Sequence, residues 1–171
     1  MKLFAQFVGL CGVALLIASY QCKSSRKMFI AQLCSNLLYV LHFLMLGAFT
    51  GCVSMAINIA RNLVLISGKE WARKKVWMWI FILAGVVVAI ATWGDLFSIF
   101  PAIATAAFTV SGFARNGKKI RIINLAVGYP AWIIYDVHMH SWSGLAGEIF
   151  CIGSVVVSIL RYGMKELDVN E

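Results

Sequence analysis

Acidic residues are scarce in this chain. Of 171 residues only seven are Asp or Glu, against 15 Lys and Arg, and charged residues together make up 13%. A water-soluble domain carries about twice that share. With 61% hydrophobic residues and a mean hydropathy of +0.86, the composition is that of a protein dissolved in a bilayer. Proline is nearly absent: there are two, Pro101 and Pro130, so most apolar stretches contain no helix breaker. None of these stretches alternates apolar and polar residues, which excludes the strands of a membrane β-barrel. Disulfide chemistry is lacking too. Cys11, Cys34 and Cys151 sit inside apolar stretches, while Cys22 and Cys52 fall on opposite membrane faces, so most read as small buried hydrophobes. No nucleophile elbow, phosphate loop, metalloprotease motif or dinucleotide fingerprint occurs, which points away from an enzyme and from any cofactor.

What is present is a series of apolar runs at nearly even spacing. Seven spans emerge: Leu3–Tyr20, Phe29–Phe49, Gly51–Ile66, Val76–Trp93, Leu96–Ala114, Ile122–Val137 and Trp142–Tyr162. All are expected to be α-helical, because a segment in hydrocarbon must satisfy its own backbone hydrogen bonds. The third and sixth are short and polar enough for a hydropathy scan to miss. Charge placement requires them nonetheless. With the N-terminus outside, the cytoplasmic connections read "QCKSSRK", "GKEWARKK" and "RNGKKIR", with "RYGMKELDVNE" as the tail. The opposite face receives "GAFTG", "WGDL" and "DVHMHS". Apart from Lys2, nearly every Lys and Arg falls on or near the first set, as the positive-inside rule demands for seven spans with the C-terminus inside. The basic cluster after the first span also argues against its being a cleaved signal peptide. The pI near 9.5 therefore marks orientation rather than nucleic-acid binding.

Sliding the sequence on itself by 93 residues superposes spans one to three on spans five to seven. Phe7 meets Phe100, Ala14 meets Ala107, Ile30 meets Ile123, Gly51 meets Gly144 and Ile59 meets Ile152, with Arg26 on Lys119 in the loops. A shift of four spans preserves orientation. The expected architecture is thus two parallel three-helix repeats joined by a linker helix (3+1+3): residues 1–67, a basic loop and linker helix over 68–94, residues 95–163, and a cytoplasmic tail over 164–171.

The block "LLYVLHFLMLGAFTGCVSMAINIARNLV" resembles the second and third spans of the YgjV-type bacterial inner-membrane proteins: an aromatic and His-Phe precede a Leu-Gly-Ala turn, and an Asn-x-x-Arg follows. More distantly, the layout resembles the SWEET, PQ-loop and nicotinamide-riboside transporter group, although no Pro-Gln dipeptide stands in either half. In the sugar-carrying members of that group an aromatic residue and an asparagine from each half contact the substrate. By position, the resemblance implies such roles for Tyr39, Trp132 and Asn58. It departs in the seventh span, where Glu148 and Cys151 stand in place of a second asparagine, which argues against a neutral sugar. Prolines serve as hinges in those transporters, and Pro101 and Pro130 are the candidates here. The first half offers only Gly9 and Gly12 near the position matching Pro101.

The polar residues within spans sharpen the site. At 100° per residue, Gly51, Ser54, Asn58 and Arg61 share about one quadrant of the third span, and Gly147, Glu148, Cys151 and Ser158 share a face of the seventh. A charge at the centre of a lone helix costs about 2.5–3.5 kcal/mol, so a buried ionisable group needs a partner or water. Either Arg61 pairs with Glu148, or both face a central aqueous site; the bland alternative has Arg61 snorkelling to the headgroups. Gln32, Asn36 and Tyr39 share a face of the second span, and Asn124, Gly128, Trp132 and Tyr135 share one of the sixth, with His42 as a further candidate. Asp136, His138 and His140 alternate in the outer loop but lack a fourth ligand, so no metal site is expected.

These features point to a multi-pass inner-membrane transporter or facilitator of a small polar or ionic solute, lined by Tyr39, Asn58, Arg61, Trp132 and Glu148. The alternative is a membrane protein that uses the same fold to bind a partner. Expected partners are the lipid bilayer, a small polar solute and a second copy of the chain, but not nucleic acid.

Overall fold

The computed structural model describes residues 2–22 and 24–167, which are all-helical. Helix α1 spans Lys2–Tyr20, α2 Ser25–Leu46, α3 Phe49–Ser67, α4 Lys75–Ala91 and α5 Ile99–Phe113. Helix α6 joins Gly117–Ile123 to Tyr129–His138 through a π turn over Asn124–Gly128. Helix α7 runs over Trp142–Glu166, with a kink at Gly163, whose φ is 73°. Of these seven, α1, α2, α3, α5 with its leading turn, and α7 are long and apolar enough to cross a membrane. The linker helix α4 has 17 residues, and α6 opens on a basic turn.

Helix starts differ from the hydropathy reading at the charged ends. Helix α2 begins at Ser25 rather than Phe29, and α6 at Gly117 rather than Ile122. Charged residues at a membrane surface continue a helix where a cap satisfies its first N–H groups. At α6 that cap is Asn116, whose Oδ1 accepts the Lys119 N–H at 3.0 Å. The other end of α2 closes on Gly47, whose φ of 74° is the left-handed backbone favoured after a helix. Of the expected tail and first basic loop, residues 168–171 and Lys23 lie outside the described residues.

The two prolines behave differently. Pro130 follows the π turn directly, and the Tyr129 N–H reaches back five residues to the Asn124 carbonyl. The lost proline N–H is thus absorbed by widening the helix. Pro101, the other hinge candidate, makes no break within its helix. It lies in the first turn of α5, immediately after a 3-10 turn over Leu96–Ser98, where a missing N–H disrupts little.

Packing arranges six helices in a closed ring. Helix α1 packs on α2, α2 on α3, α3 on α5, α5 on α6, α6 on α7 and α7 back on α1. Helix α4 stands outside, laid across α3 and α5. Gly85 of α4 faces Thr105 of α5 across this contact. Outward residues such as Phe7, Leu41, Leu63, Trp79, Leu83 and Leu160 are exposed, which makes an apolar belt suited to lipid.

The two ends of the ring are tied by polar contacts across helices. At one end the Arg121 guanidinium is buried and donates to Ser158 Oγ (3.0 Å), Gly117 O (3.1 Å) and Tyr20 O (3.2 Å). Nearby, the Lys118 N–H donates to Leu167 O at 2.8 Å. Arg121, read from sequence as part of a surface loop, is therefore an internal clamp joining α1, α6 and α7. At the opposite end the Gly51 N–H, one of the unpaired donors in the first turn of α3, donates to Tyr135 Oη at 3.0 Å. His138 Nε2 meets Asp95 Oδ2 at 2.5 Å and stacks on Phe97. Asp136 is buried while His140 lies beside Trp142, so the three alternating loop residues diverge.

Candidate functional site

The six ring helices line a cavity of about 40 Å³. Every ring helix contributes to its wall and α4 contributes none: Leu16 and Tyr20 from α1, Asn36 and Tyr39 from α2, Asn58 and Arg61 from α3. Opposite them stand Phe108 and Ser111 from α5, Asn124, Tyr129 and Trp132 from α6, and Glu148 from α7. The sequence periodicity explains this convergence. On α3, Ser54, Asn58 and Arg61 are buried, while Val53, Leu63 and the alanines between them face outward. On α7, Gly147, Glu148, Cys151 and Ser158 turn inward and Ile149, Phe150, Val157 and Leu160 turn to lipid.

Tyr39, Asn58, Arg61, Trp132 and Glu148 thus share one cavity, joined by Asn36 and Asn124. Their hydrogen bonding sets them apart. Tyr39 Oη, Asn58 Oδ1, Arg61 Nη1, Trp132 Nε1 and Glu148 Oε2 are each buried without a hydrogen-bond partner among the described residues. A buried polar atom left unmade costs about 1–3 kcal/mol, and native proteins carry few of them. With Tyr129 Oη, which is also unpartnered among the described residues, six such atoms around one cavity mark a surface complementary to water or a polar solute.

Arg61 is 3% exposed, so it does not snorkel to the headgroups. Its Nε and Nη2 lean on Asn62 Oδ1 at 3.4 and 3.2 Å, a neighbour on the same helix. No ion pair joins Arg61 to Glu148 among the described residues. The reason is depth. Arg61 lies twelve residues past the start of α3 and Glu148 six past the start of α7, an axial offset of about 9 Å. Of the two arrangements expected from sequence, the structure has both charges presented to a shared cavity.

One end of the cavity is sealed by aromatic rings. Tyr39 stacks on Phe43 (centroids 6.0 Å apart, 26°), and Phe43 stacks on Trp132 (5.7 Å, 19°). Tyr135 meets both Phe43 and Trp132 edge to face. From this layer the cavity extends toward the end that carries the basic loops, where Tyr20, Phe29 and Ile120 line it. The close approach of α7 to α1 and α2 here depends on Gly147, where a Cβ would lie 2.6 Å from Val13 and 2.7 Å from Tyr39 Oη.

His42 stands off the cavity. Its Nδ1 lies 2.9 Å from Ala5 O and its Nε2 2.9 Å from Ser141 Oγ. Pro130 adjoins the wall through Tyr129 and Trp132, whereas Pro101 is remote from it in the first turn of α5.

The model of a family described as bacterial inner membrane protein, Imp-YgjV, matches residues 3–166. The chain belongs to the Imp-YgjV family. It is accordingly a multi-pass protein of the bacterial inner membrane. Comparison with curated proteins finds no match, and neither does comparison with solved structures. Every cavity residue falls within the Imp-YgjV match, from Leu16 to Glu148.

Several wall residues escape a reading of sequence alone. Tyr20 ends an apolar run and resembles an interfacial anchor, yet it is buried and accepts a bond from Asn124 Nδ2 at 3.2 Å. Ser111 donates to Asn124 Oδ1 at 2.7 Å. That pair holds the asparagine at the π turn and could be sought from sequence only once α5 and α6 are known to be neighbours. Gln32, by contrast, lines the cavity together with Asn36 and Tyr39, the residues whose helical face it shares.

Proposed function

We propose that this Imp-YgjV protein is a transporter or facilitator of a small polar or ionic solute, with the solute held in the cavity by Tyr39, Asn58, Arg61, Trp132 and Glu148. The reading rests on one observation: the six polar atoms around the cavity that have no partner among the described residues. A protein using this fold only as a scaffold gains nothing from leaving them unmade. Arg61 would hold an anionic or acceptor group of the solute, and Glu148 a cationic or donor group, while Trp132 and Tyr39 supply aromatic faces edged with donors.

The reading includes the 3+1+3 architecture with the N-terminus outside and the C-terminus inside. The ring order supports it: α3 meets α5 as α7 meets α1, which is what exchange of two equivalent bundles requires. So do the wall residues. Positions 93 residues apart line the cavity together: Asn36 with Tyr129, Tyr39 with Trp132 and Met55 with Glu148. Basic residues gather at one end, where positive-inside orientation would place the cytoplasm. In this orientation the aromatic layer faces outward and the cavity leans inward. Movement of one bundle against the other would alternate access, with the π turn before Pro130 as the place where α6 bends and Pro101 at the start of α5 as the second hinge. This reading makes the protein a resemblance of the SWEET-type carriers in layout, with charges in place of a second asparagine.

The test is a thermal-unfolding screen of the purified protein in lipid nanodiscs against a panel of amino acids, organic acids, polyamines and nucleosides. A solute bound at one hundred times its Kd stabilises the native state by about 2.7 kcal/mol. At least one zwitterionic or ionic member is expected to raise the unfolding midpoint. A panel in which none does, at concentrations well above those in a cell, would sink the solute reading in favour of a partner-binding role.

A further inference from the structure

Three arginines converge at the end of the bundle that carries the basic loops. Arg26 lies in the first turn of α2, Arg73 in a 3-10 turn over Glu70–Arg73 ahead of α4, and Arg115 in the turn between α5 and α6. Far apart in sequence, they line one cleft of about 160 Å³ together with Ser25, Phe29 and Leu65. No carboxylate lines it. Glu70 shares the 3-10 turn with Arg73 but is exposed and stands outside the cleft.

Cations gathered in this way repel one another unless an anion sits among them. Among the described residues none of the three guanidiniums makes an ion pair. Arg115 is the sharpest case. Its Nη2 is buried without a hydrogen-bond partner among the described residues, although a charged donor is costly to leave unmade. An arginine beside a helix C-terminus can pair with the last carbonyls, and the last turn of α3 borders the cleft through Leu65 and Ile66. Arg115 Nη2 takes none of them. Burial and the neighbouring charge of Arg73 together hold the Arg115 guanidinium below its ordinary pKa. Arg115 also has a φ of 47°, backbone that glycine adopts more readily, so chain reversal alone does not call for an arginine there.

We infer that this cleft is an oxyanion site in which Arg26, Arg73 and Arg115 together hold one phosphate group, carried by an anionic lipid headgroup or by a soluble phosphate compound. A guanidinium offers a planar fork of donors that matches two phosphate oxygens, and three such forks from three elements can surround one group. Ser25 opens the 22-residue helix α2, whose dipole adds partial positive charge at this end. Phe29 and Leu65 are buried and give the cleft an apolar floor, which limits water and strengthens each charge interaction. The setting gives both sources access. Beside Arg73, Trp71 packs edge to face on Trp77 (5.4 Å), an aromatic pair of the kind found at headgroup level. Phe29 lines the solute cavity as well, so a phosphate in the cleft would sit at the basic end of that cavity. The site stands on its own geometry and does not depend on the transport reading.

The test uses inorganic phosphate and phosphatidylglycerol as probes, with purified protein in maltoside micelles, which contain no phosphate. In one arm phosphate is titrated against chloride at matched ionic strength, and in the other phosphatidylglycerol is added against phosphatidylcholine. Thermal unfolding is the readout. The unfolding midpoint is expected to rise with at least one probe, because an occupied cleft ties together the start of α2, the turn before α4 and the α5–α6 turn. A response to phosphate identifies a soluble source, and a response to phosphatidylglycerol alone identifies a lipid headgroup. Arg115→Gln should weaken the responding probe by about ten- to a hundredfold. Arg26→Gln and Arg73→Gln should act in the same direction; both side chains are exposed, so these variants keep the comparison available if Arg115→Gln does not fold. Lys74→Gln removes the same charge from a residue outside the cleft and should leave the response unchanged. Arg61→Met should also leave it unchanged, which separates this site from the solute cavity. No response in either arm, an equal loss in Lys74→Gln and Arg115→Gln, or a response abolished by Arg61→Met would overturn the site.

Discussion

Arg61→Met is expected to abolish solute-induced stabilisation while leaving the unfolding midpoint of the solute-free protein unchanged or raised. Arg61 is buried, yet among the described residues its only hydrogen bonds run to Asn62 on the same helix, and Nη1 has none. Replacing a poorly satisfied buried charge by an apolar side chain of similar length removes a desolvation penalty and breaks no hydrogen bond between helices among the described residues. Binding responds in the opposite sense. A charged hydrogen bond to the solute contributes about 1.5–3 kcal/mol, so affinity should fall by about ten- to a hundredfold. Were Arg61 a structural strut, the same change would lower stability by about 3–5 kcal/mol, as loss of one member of a buried pair does. Thermal unfolding with and without the best solute separates the two outcomes.

Arg121→Ala should do the reverse. Its guanidinium donates to Ser158, Gly117 and Tyr20, and weakly to the Cys22 carbonyl at 3.5 Å, so truncation strands acceptors on three elements at once. The expected loss is about 2–5 kcal/mol of stability. It should appear as a lower unfolding midpoint with solute affinity preserved in the folded fraction. Arg121→Lys should recover only part of it, because one ammonium cannot reproduce the planar fork that spans Ser158 and two backbone carbonyls. Equal stability in Arg121→Ala and wild type would remove the clamp from this account.

The contrast between these two arginines shows what the sequence reveals. Arg61 stands alone in hydrocarbon, three residues beyond Asn58 on one helical face, and such isolation is conspicuous in any hydropathy profile. Arg121 follows Lys118 and Lys119, and a run of cations reads as a solvated loop. Only the placement of the helix start at Gly117, capped by Asn116, turns Arg121 inward while Lys119 stays exposed. The same limit explains Tyr20 and Ser111. Helical periodicity assigns a face to each residue but not the neighbour opposite, and both belong to the wall because α1 and α5 are members of the ring. The shared cavity of Tyr39, Trp132, Asn58 and Glu148 was accessible because their polar atoms sit in otherwise apolar runs. His42 has the same signature but serves another network, since helix ends one turn further out meet different partners.

The central claim is that the cavity is a wet, solute-binding site and not a dry seam between helices. An experimental density map of the protein in nanodiscs tests it most directly. The account predicts ordered density, water or a bound solute, within hydrogen-bond distance of Arg61 Nη1, Glu148 Oε2 and Trp132 Nε1. A cavity collapsed around a direct Arg61 to Glu148 ion pair, with no density between the helices, would contradict it.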